Sequence, residues 1–180
     1  QAWARQGDTR RAAEGLADAH GVFESQGNAV GAALAGLRRA GLDLRAGDPA
    51  AGLQRAVAAA AAFGAAKVEG WRAEAELISA EALALLGQPD TAEQRYRQTL
   101  QAAQALPELA AACHTGLGLL MRQRGQADGA RVELERAVRL ADAQRAALAG
   151  DEFRSAYGAD KQRPHDALID LALDDRSATS

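Results

Sequence analysis

The chain has 180 residues, a net charge of −3 and a sequence pI of about 5.7. Alanine supplies 47 residues, over half of the 48% that is hydrophobic, whereas Val and Ile together number 8 and aromatics 7. Strands favour β-branched and aromatic side chains and helices favour alanine, so an all-α fold is expected and sheet-based folds are excluded.

The chain opens at Gln1 without a methionine and enters in mid-pattern, as expected of a fragment of a longer protein. Apolar periodicity predicts helices over 1–6 (truncated), 9–24, 28–46, 50–63, 66–87, 90–105, 108–124 and 127–148. Turn signals lie at Gly7-Asp8, Gly47-Asp48-Pro49, Gly87-Gln88-Pro89-Asp90 and Gly125-Gln126, with glycines 40, 40 and 38 residues apart. Gly suits a helix C-terminus, and Asp or Pro suits the next start. A fixed period of this kind marks stacked helical hairpins. The apolar run Ala56–Ala66 is about half a membrane span and reads as a buried helix. No signal peptide pattern is present.

The segments after the turns align. Ala12, Gly52, Ala92 and Ala130 form one set, Leu16, Ala56, Tyr96 and Leu134 a second, and Ala19, Ala59, Thr99 and Ala137 a third. Spacings of four and three place each segment's members on one helix face. A small residue there lets two backbones approach, and the larger one a turn later fills the gap. Matching faces precede the turns: Leu34, Leu37, Gly41, Leu44; Trp71, Ala75, Ile78, Ala82, Leu85; and Cys113 or His114, Leu117, Gly118, Met121. Strict phase would put Arg39 and Asp43 on the buried face. Burying charge is costly, so a one-residue shift to Ala40, Gly41 and Leu44 is preferred, with an irregular turn near Gly47.

The segment His114–Leu140, with Leu117-Gly118, Met121, Gly125, Ala130, Leu134 and Ala137 in place, resembles the tetratricopeptide (TPR) repeat. Asp90–Leu100 matches through Ala92 and Tyr96, with Thr99 in place of the usual Ala, and Trp3, Gly7, Ala12, Leu16 and Ala19 look like the second half of a repeat. The usual TPR period is 34, so these repeats resemble the longer ones of large bacterial regulators. The resemblance implies an α-solenoid of antiparallel hairpins over 1–148, divided at 1–24, 28–63, 66–105 and 108–148. It also implies a peptide groove lined by the first helix of each hairpin. Arg38, Arg45, Glu74, Glu81, Arg122 and Gln123 occupy the matching phase. TPR domains that capture C-terminal carboxylates use groove Lys and Asn. Asn28 is the single Asn here, and neither Lys67 nor Lys161 is phased to the groove, so that mode is disfavoured.

The tail Arg154–Leu173 resembles the segment joining TPR arrays to a CHAT domain, a caspase-like cysteine protease domain. Arg154, Asp160, Lys161, Leu168 and Leu171 match, Tyr157 stands at the aromatic position and His165 at a tyrosine position, and Pro164 departs. The resemblance implies a downstream protease domain. From the residues alone, Pro164 suits a first helical turn. Ala167, Leu168, Leu171 and Ala172 give a stripe that caps the 127–148 helix. Residues 151–180 are therefore expected to be a capping helix and the start of a linker.

Cys113 and His114 are helix neighbours about 100° apart, so they do not face each other as nucleophile and base. A buried thiol beside a partly packed His is the expected reading. His20, His114 and His165 show no metal-ligand spacing. Glu74, Glu76 and Glu81 read as solvated surface, and Gly116 and Gly118 lie inside a helix rather than in a phosphate loop. No catalytic residue, metal or cofactor is expected. One cysteine excludes an internal disulfide and fits a reducing, cytoplasmic setting. Glu133/Arg136 and Glu135/Arg139 are helix-surface pairs, not a nucleic-acid stripe. Arg38, Arg39 and Arg45 are open between a local anion site and partial burial against acids. Mild acidity argues against nucleic-acid or membrane partners. The expected function is a non-catalytic scaffold of a TPR–CHAT protein, holding a protein or peptide partner and contacting a downstream domain. The alternative is the sensor or scaffold region of a bacterial transcription regulator or signalling ATPase.

Overall fold

The turns share one design. A single residue takes a left-handed backbone at Gly27 (φ 67°), Gly47 (81°), Lys67 (57°), Gly87 (71°) and Gly125 (72°). The following N–H then donates to a carbonyl five residues back: Asn28 to Phe23, Asp48 to Asp43, Val68 to Phe63, Gln88 to Leu83 and Gln126 to Met121, at 2.9–3.0 Å. That bond satisfies a helix-end carbonyl that would otherwise lack a partner. The first four left-handed positions fall 20 residues apart, half the glycine period visible in the sequence.

The computed structural model describes the backbone of residues 2–103, 105–147 and 163–178, and the side chains of 9–103, 105–147 and 163–174. The described residues form α1 (Ala2–Ser25), α2 (Ala29–Ala46), α3 (Pro49–Ala65), α4 (Glu69–Leu85), α5 (Pro89–Ala102), α6 (Pro107–Gln123), α7 (Ala127–Ala147) and α8 (Arg163–Ala178). All of these elements are helical, as composition demands.

Three expectations are corrected. Gly7-Asp8 is no turn: α1 runs through it. Glycine costs a helix about 1 kcal/mol, and no proline follows to stop the chain there. Gly27 is where the chain turns, and the Asn28 carboxamide caps α2 by accepting from Gly31 N–H at 2.8 Å. Nor is the turn at Gly47 irregular, since it carries the same back-bond as the others. Asp48 accepts there from Ala51 N–H at 3.0 Å, and Pro49 opens α3. The alanine-rich α3 is buried on one face only, through Gly52, Ala56, Ala59, Ala60 and Phe63, while Val57 is exposed.

The chain divides into two compact units, residues 1–95 and 96–180. In the first, α2 packs against α1, α3 and α4, and α3 packs on α4. Its core joins Ala33, Leu37, Ala59, Ala60, Phe63 and Ala75, with Trp71 and Ile78 packed alongside. The Phe63 and Trp71 rings stack at 6.4 Å. Leu85, expected on that face, is 63% exposed. In the second unit α7 packs on α6, and α8 lies against both. Ala167 and Leu171 of α8 join Ala130 and Leu134 in one cluster, with Leu168 alongside, whereas Ala172 faces solvent. Arg122 of α6 ties α8 further, to Asp174 at 2.7 Å and Asp170 at 3.6 Å. Of the tail motif, Arg154, Tyr157, Asp160 and Lys161 lie outside the described residues, as does the side chain of Trp3.

The aligned sets behave as small-residue contacts require. Gly52, Ala92 and Ala130 are all buried, as are Ala56, Tyr96 and Leu134, and Ala59, Thr99 and Ala137. A Cβ on Gly52 would meet Leu44 Cδ2 at 2.9 Å and the Ala40 carbonyl oxygen at 3.2 Å. One on Gly118 would meet Leu134 Cγ at 2.6 Å and the Ala130 carbonyl oxygen at 3.2 Å. In α1 the corresponding Ala12 is exposed and Leu16 and Ala19 are half-buried.

Two substitutions separate turn strain from packing. Lys67→Gly relieves a left-handed backbone at an exposed site and is expected to raise unfolding free energy by up to about 1 kcal/mol. Gly118→Ala should lower it by about 1–3 kcal/mol, because the facing carbonyl cannot move aside as a side chain can. Urea denaturation of both variants measures the signs.

Candidate functional site

The first unit carries charge where its pattern asks for apolar groups. Arg39 and Asp43 stand one turn apart on α2, and both are half-buried. They flank the packed face rather than fill it, while Ala40 between them is fully buried. The one-residue shift expected from the sequence is met at the fully buried Ala40, with Gly41 and Leu44 half-buried. Burial is tolerated because α3 supplies a counter-charge: Arg55 Nη1 stands 3.4 Å from Asp43 Oδ2. The same Arg55 nitrogen reaches the Ala51 carbonyl oxygen at 3.4 Å. Burial nevertheless pushes the Asp43 carboxyl above its ordinary value of 3.8, outweighing the pull of Arg55 and Arg39, with Asp48 adding to the rise. The buried Arg39 Nε–H and Asp43 Oδ2 make no hydrogen bond.

Arg39 and Arg55 line a cavity of about 740 Å³ formed by α1, α2 and α3. Alanines and Gly36 make much of its wall. Short side chains leave this space open, where leucines would fill it. His20, Glu24 and Gln54 are the other polar residues of the lining. His20 Nδ1 and Glu24 Oε2 pair on α1 at 3.4 Å, both well exposed. The cavity is therefore lined largely by alanines, with Arg39 and Arg55 among its residues and a His–Glu pair on α1.

None of the six groove candidates lines this cavity. Arg38 and Glu74 meet each other at 2.7 Å, and the Arg38 guanidinium lies 5.0 Å from the centre of the Trp71 ring. Arg45 and Gln123 are exposed, Glu81 is half-buried on α4, and Arg122 is engaged by the carboxylates of α8. Glu74 and Glu76 are half-buried ion-pair partners rather than open solvated surface, Glu76 meeting Arg95 at 2.6 Å. The sequence reading missed His20, Glu24, Gln54 and Arg55 and left Arg39 open. The available signal was a charged pair in core phase on α2, four residues apart.

In the second unit the Cys113 side chain is fully buried. His114 turns to Glu133 on α7, Nδ1 to Oε2 at 2.6 Å, and Arg136 donates to the other Glu133 oxygen at 2.8 Å. This trio binds α6 to α7, with the imidazole engaged by Glu133. Glu135 and Arg139 pair at 3.7 Å on the surface. Among the described residues, no group of three His, Cys, Asp or Glu side chains is placed to hold a metal ion. No helix among them is long and apolar enough to cross a membrane. Neither a family model nor a curated protein matches the chain.

The Asp43 site predicts a pH signature. Its carboxyl titrates above the unfolded value of 3.8, so the folded state binds the proton more tightly. Its contribution to stability is full below that unfolded value and is lost as pH rises through the folded one. The stability of the parent chain minus that of Asp43→Asn should therefore fall as pH increases across this window. Paired urea titrations at several pH values check the sign, and a difference that grows with pH would contradict it.

Proposed function

We propose that this chain is a non-catalytic helical-repeat scaffold that holds a protein or peptide partner. Its helices are taken as antiparallel hairpins stacked into a TPR-like solenoid. The observation that carries this reading is the repeated module: one turn geometry at 20-residue intervals, with small residues in matching phase at the helix contacts. Modules that bury one face on each neighbour leave the opposite faces available to a partner. The buried Ala130, Leu134 and Ala137 belong to the segment that resembles a TPR repeat and support the same reading. α8, which carries His165, Leu168 and Leu171, supports the further proposal that this region precedes a CHAT protease domain, which it positions or restrains.

A pull-down with the full-length protein and with this chain, read by mass spectrometry, tests the scaffold. The same partner is expected with both. Retention by the full-length protein alone would make the region a spacer or brace. The protease link is tested apart from this, by reading the gene beyond residue 180. A caspase-like domain with its Cys and His is expected, and its absence would end that link without touching the scaffold.

A further inference from the structure

α8 is held on the second unit by contacts that are individually weak. Its inner face buries Pro164, Ala167 and Leu171, with Leu168 half-buried. This stripe packs on Ala130 and Leu134 of α7, beside Leu119 and Met121 of α6. Spacing along the helix puts Asp170 and Asp174 on one flank of the stripe and His165 on the other. On the first flank Arg122 of α6 meets Asp174 at 2.7 Å and Asp170 at 3.6 Å, and both carboxylates are more than half exposed. On the second, His165 Nε2 stands 3.3 Å from Asp142 Oδ1 of α7, an oxygen that Arg145 already holds at 2.6 Å. Exposed pairs of this kind add little affinity but fix orientation and register. The outer face of α8 keeps its apolar bulk in solvent: Ile169 and Leu173, one turn apart, are 59% and 56% exposed. Docking is therefore narrow, and the chain itself assists it. Residues 148–162 join α8 to α7, and a tether raises the effective concentration of a ligand at its site. A second helix of like pattern can displace a weak ligand held in this way.

We propose that the α6–α7 face is a helix-docking site which α8 closes as an in-chain pseudo-ligand, and that its occupant is an acidic amphipathic helix of a partner protein. α8, seated on the face, defines the chemistry that fits. Two apolar residues stand four apart, Ala167 and Leu171, and a carboxylate follows each of them by three, Asp170 and Asp174. Ala130 and Leu134 receive the apolar pair, and Arg122 receives the carboxylates. A guanidinium with several donors suits carboxylates on successive turns. The α8 of a second copy has the same pattern but lacks the tether, so a chain's own α8 outcompetes it. Only the existence of a natural partner rests on the scaffold reading.

The test titrates a fluorescein-labelled peptide of residues 163–178 with the intact 180-residue chain and reads anisotropy. The Leu171→Asp chain, whose own α8 no longer docks, is expected to bind the peptide saturably. The parent chain should bind it about tenfold more weakly or worse, because its tethered α8 competes. Asp170→Arg with Asp174→Arg changes only exposed positions and releases α8 by repulsion from Arg122, so this chain should bind the peptide as Leu171→Asp does. Circular dichroism checks that both released chains keep the parent's helices. Arg122→Gln in the Leu171→Asp chain, or Asp170→Asn with Asp174→Asn in the peptide, should weaken binding about fivefold. Ile169→Gln with Leu173→Gln in the peptide alters the outer face alone and should leave binding within about twofold. Peptide binding beside a pull-down without partner supports the site and ends the scaffold reading. Equal affinity of parent and released chains, no saturable binding to either released chain, or an Arg122→Gln chain that binds unchanged overturns the proposal. A parent chain that sediments as a dimer and is dissociated by the peptide gives the face to a second copy and overturns the partner assignment.

Discussion

At two crossings a backbone carbonyl stands where any side chain on the facing helix would strike it. The Ala40 oxygen lies 3.2 Å from the position a Cβ would take on Gly52, and the Ala130 oxygen is equally close to that of Gly118. Contacts this tight require residues without side-chain bulk. They explain why alanine and glycine hold core positions that leucine fills elsewhere. The consequence is a core with few large members. Among the described residues, Phe63, Leu37 and Leu134 are the largest hydrophobic side chains buried outright. Close-packed methyls gain many small dispersion contacts, but each removes little apolar area from water. Stability is therefore spread thinly along the helix pairs.

Charge supplies what a methyl core lacks, which is register. Several ion pairs join different helices: Arg38 with Glu74, Glu76 with Arg95, His114 with Glu133, and Arg122 with Asp174. Partly exposed pairs of this kind each contribute up to about 1 kcal/mol. Their geometric effect exceeds their energy, because alanine faces slide past one another without penalty and a fixed cation–carboxylate pair does not. Arg39 and Arg55 stand apart from this pattern. They share Asp43, and one of their donors has no hydrogen-bond acceptor.

Much of this architecture was legible in the residues. Gly118, Gly125, Ala130 and Leu134 announce a helix, its turn and the crossing that follows. Pro164, Ala167 and Leu171 announce α8. Lys67 was illegible because its left-handed backbone is imposed by position in a repeated turn, not by residue type. The continuity of α1 was hidden by Gly7, which composition marks as punctuation and the chain treats as an ordinary helical residue. The cavity was hidden for a different reason. A hydrophobic pattern counts arginine as a surface residue, yet its long stem can lie along alanines while its head meets a carboxylate on the next helix. Pairings such as Arg55 with Asp43 depend on two helices meeting, which spacing along one helix does not encode.

The 20-residue interval between turns also shapes how the chain finds its structure. Within the first unit the packing joins helices that are neighbours or next neighbours in sequence. Every core contact of this kind closes a short loop, so its entropic cost is small and grows only with the logarithm of length. Low contact order of this sort belongs to fast-folding helical proteins. A helix can dock on its predecessor as soon as its own turn has formed, so assembly can proceed by local steps within this unit.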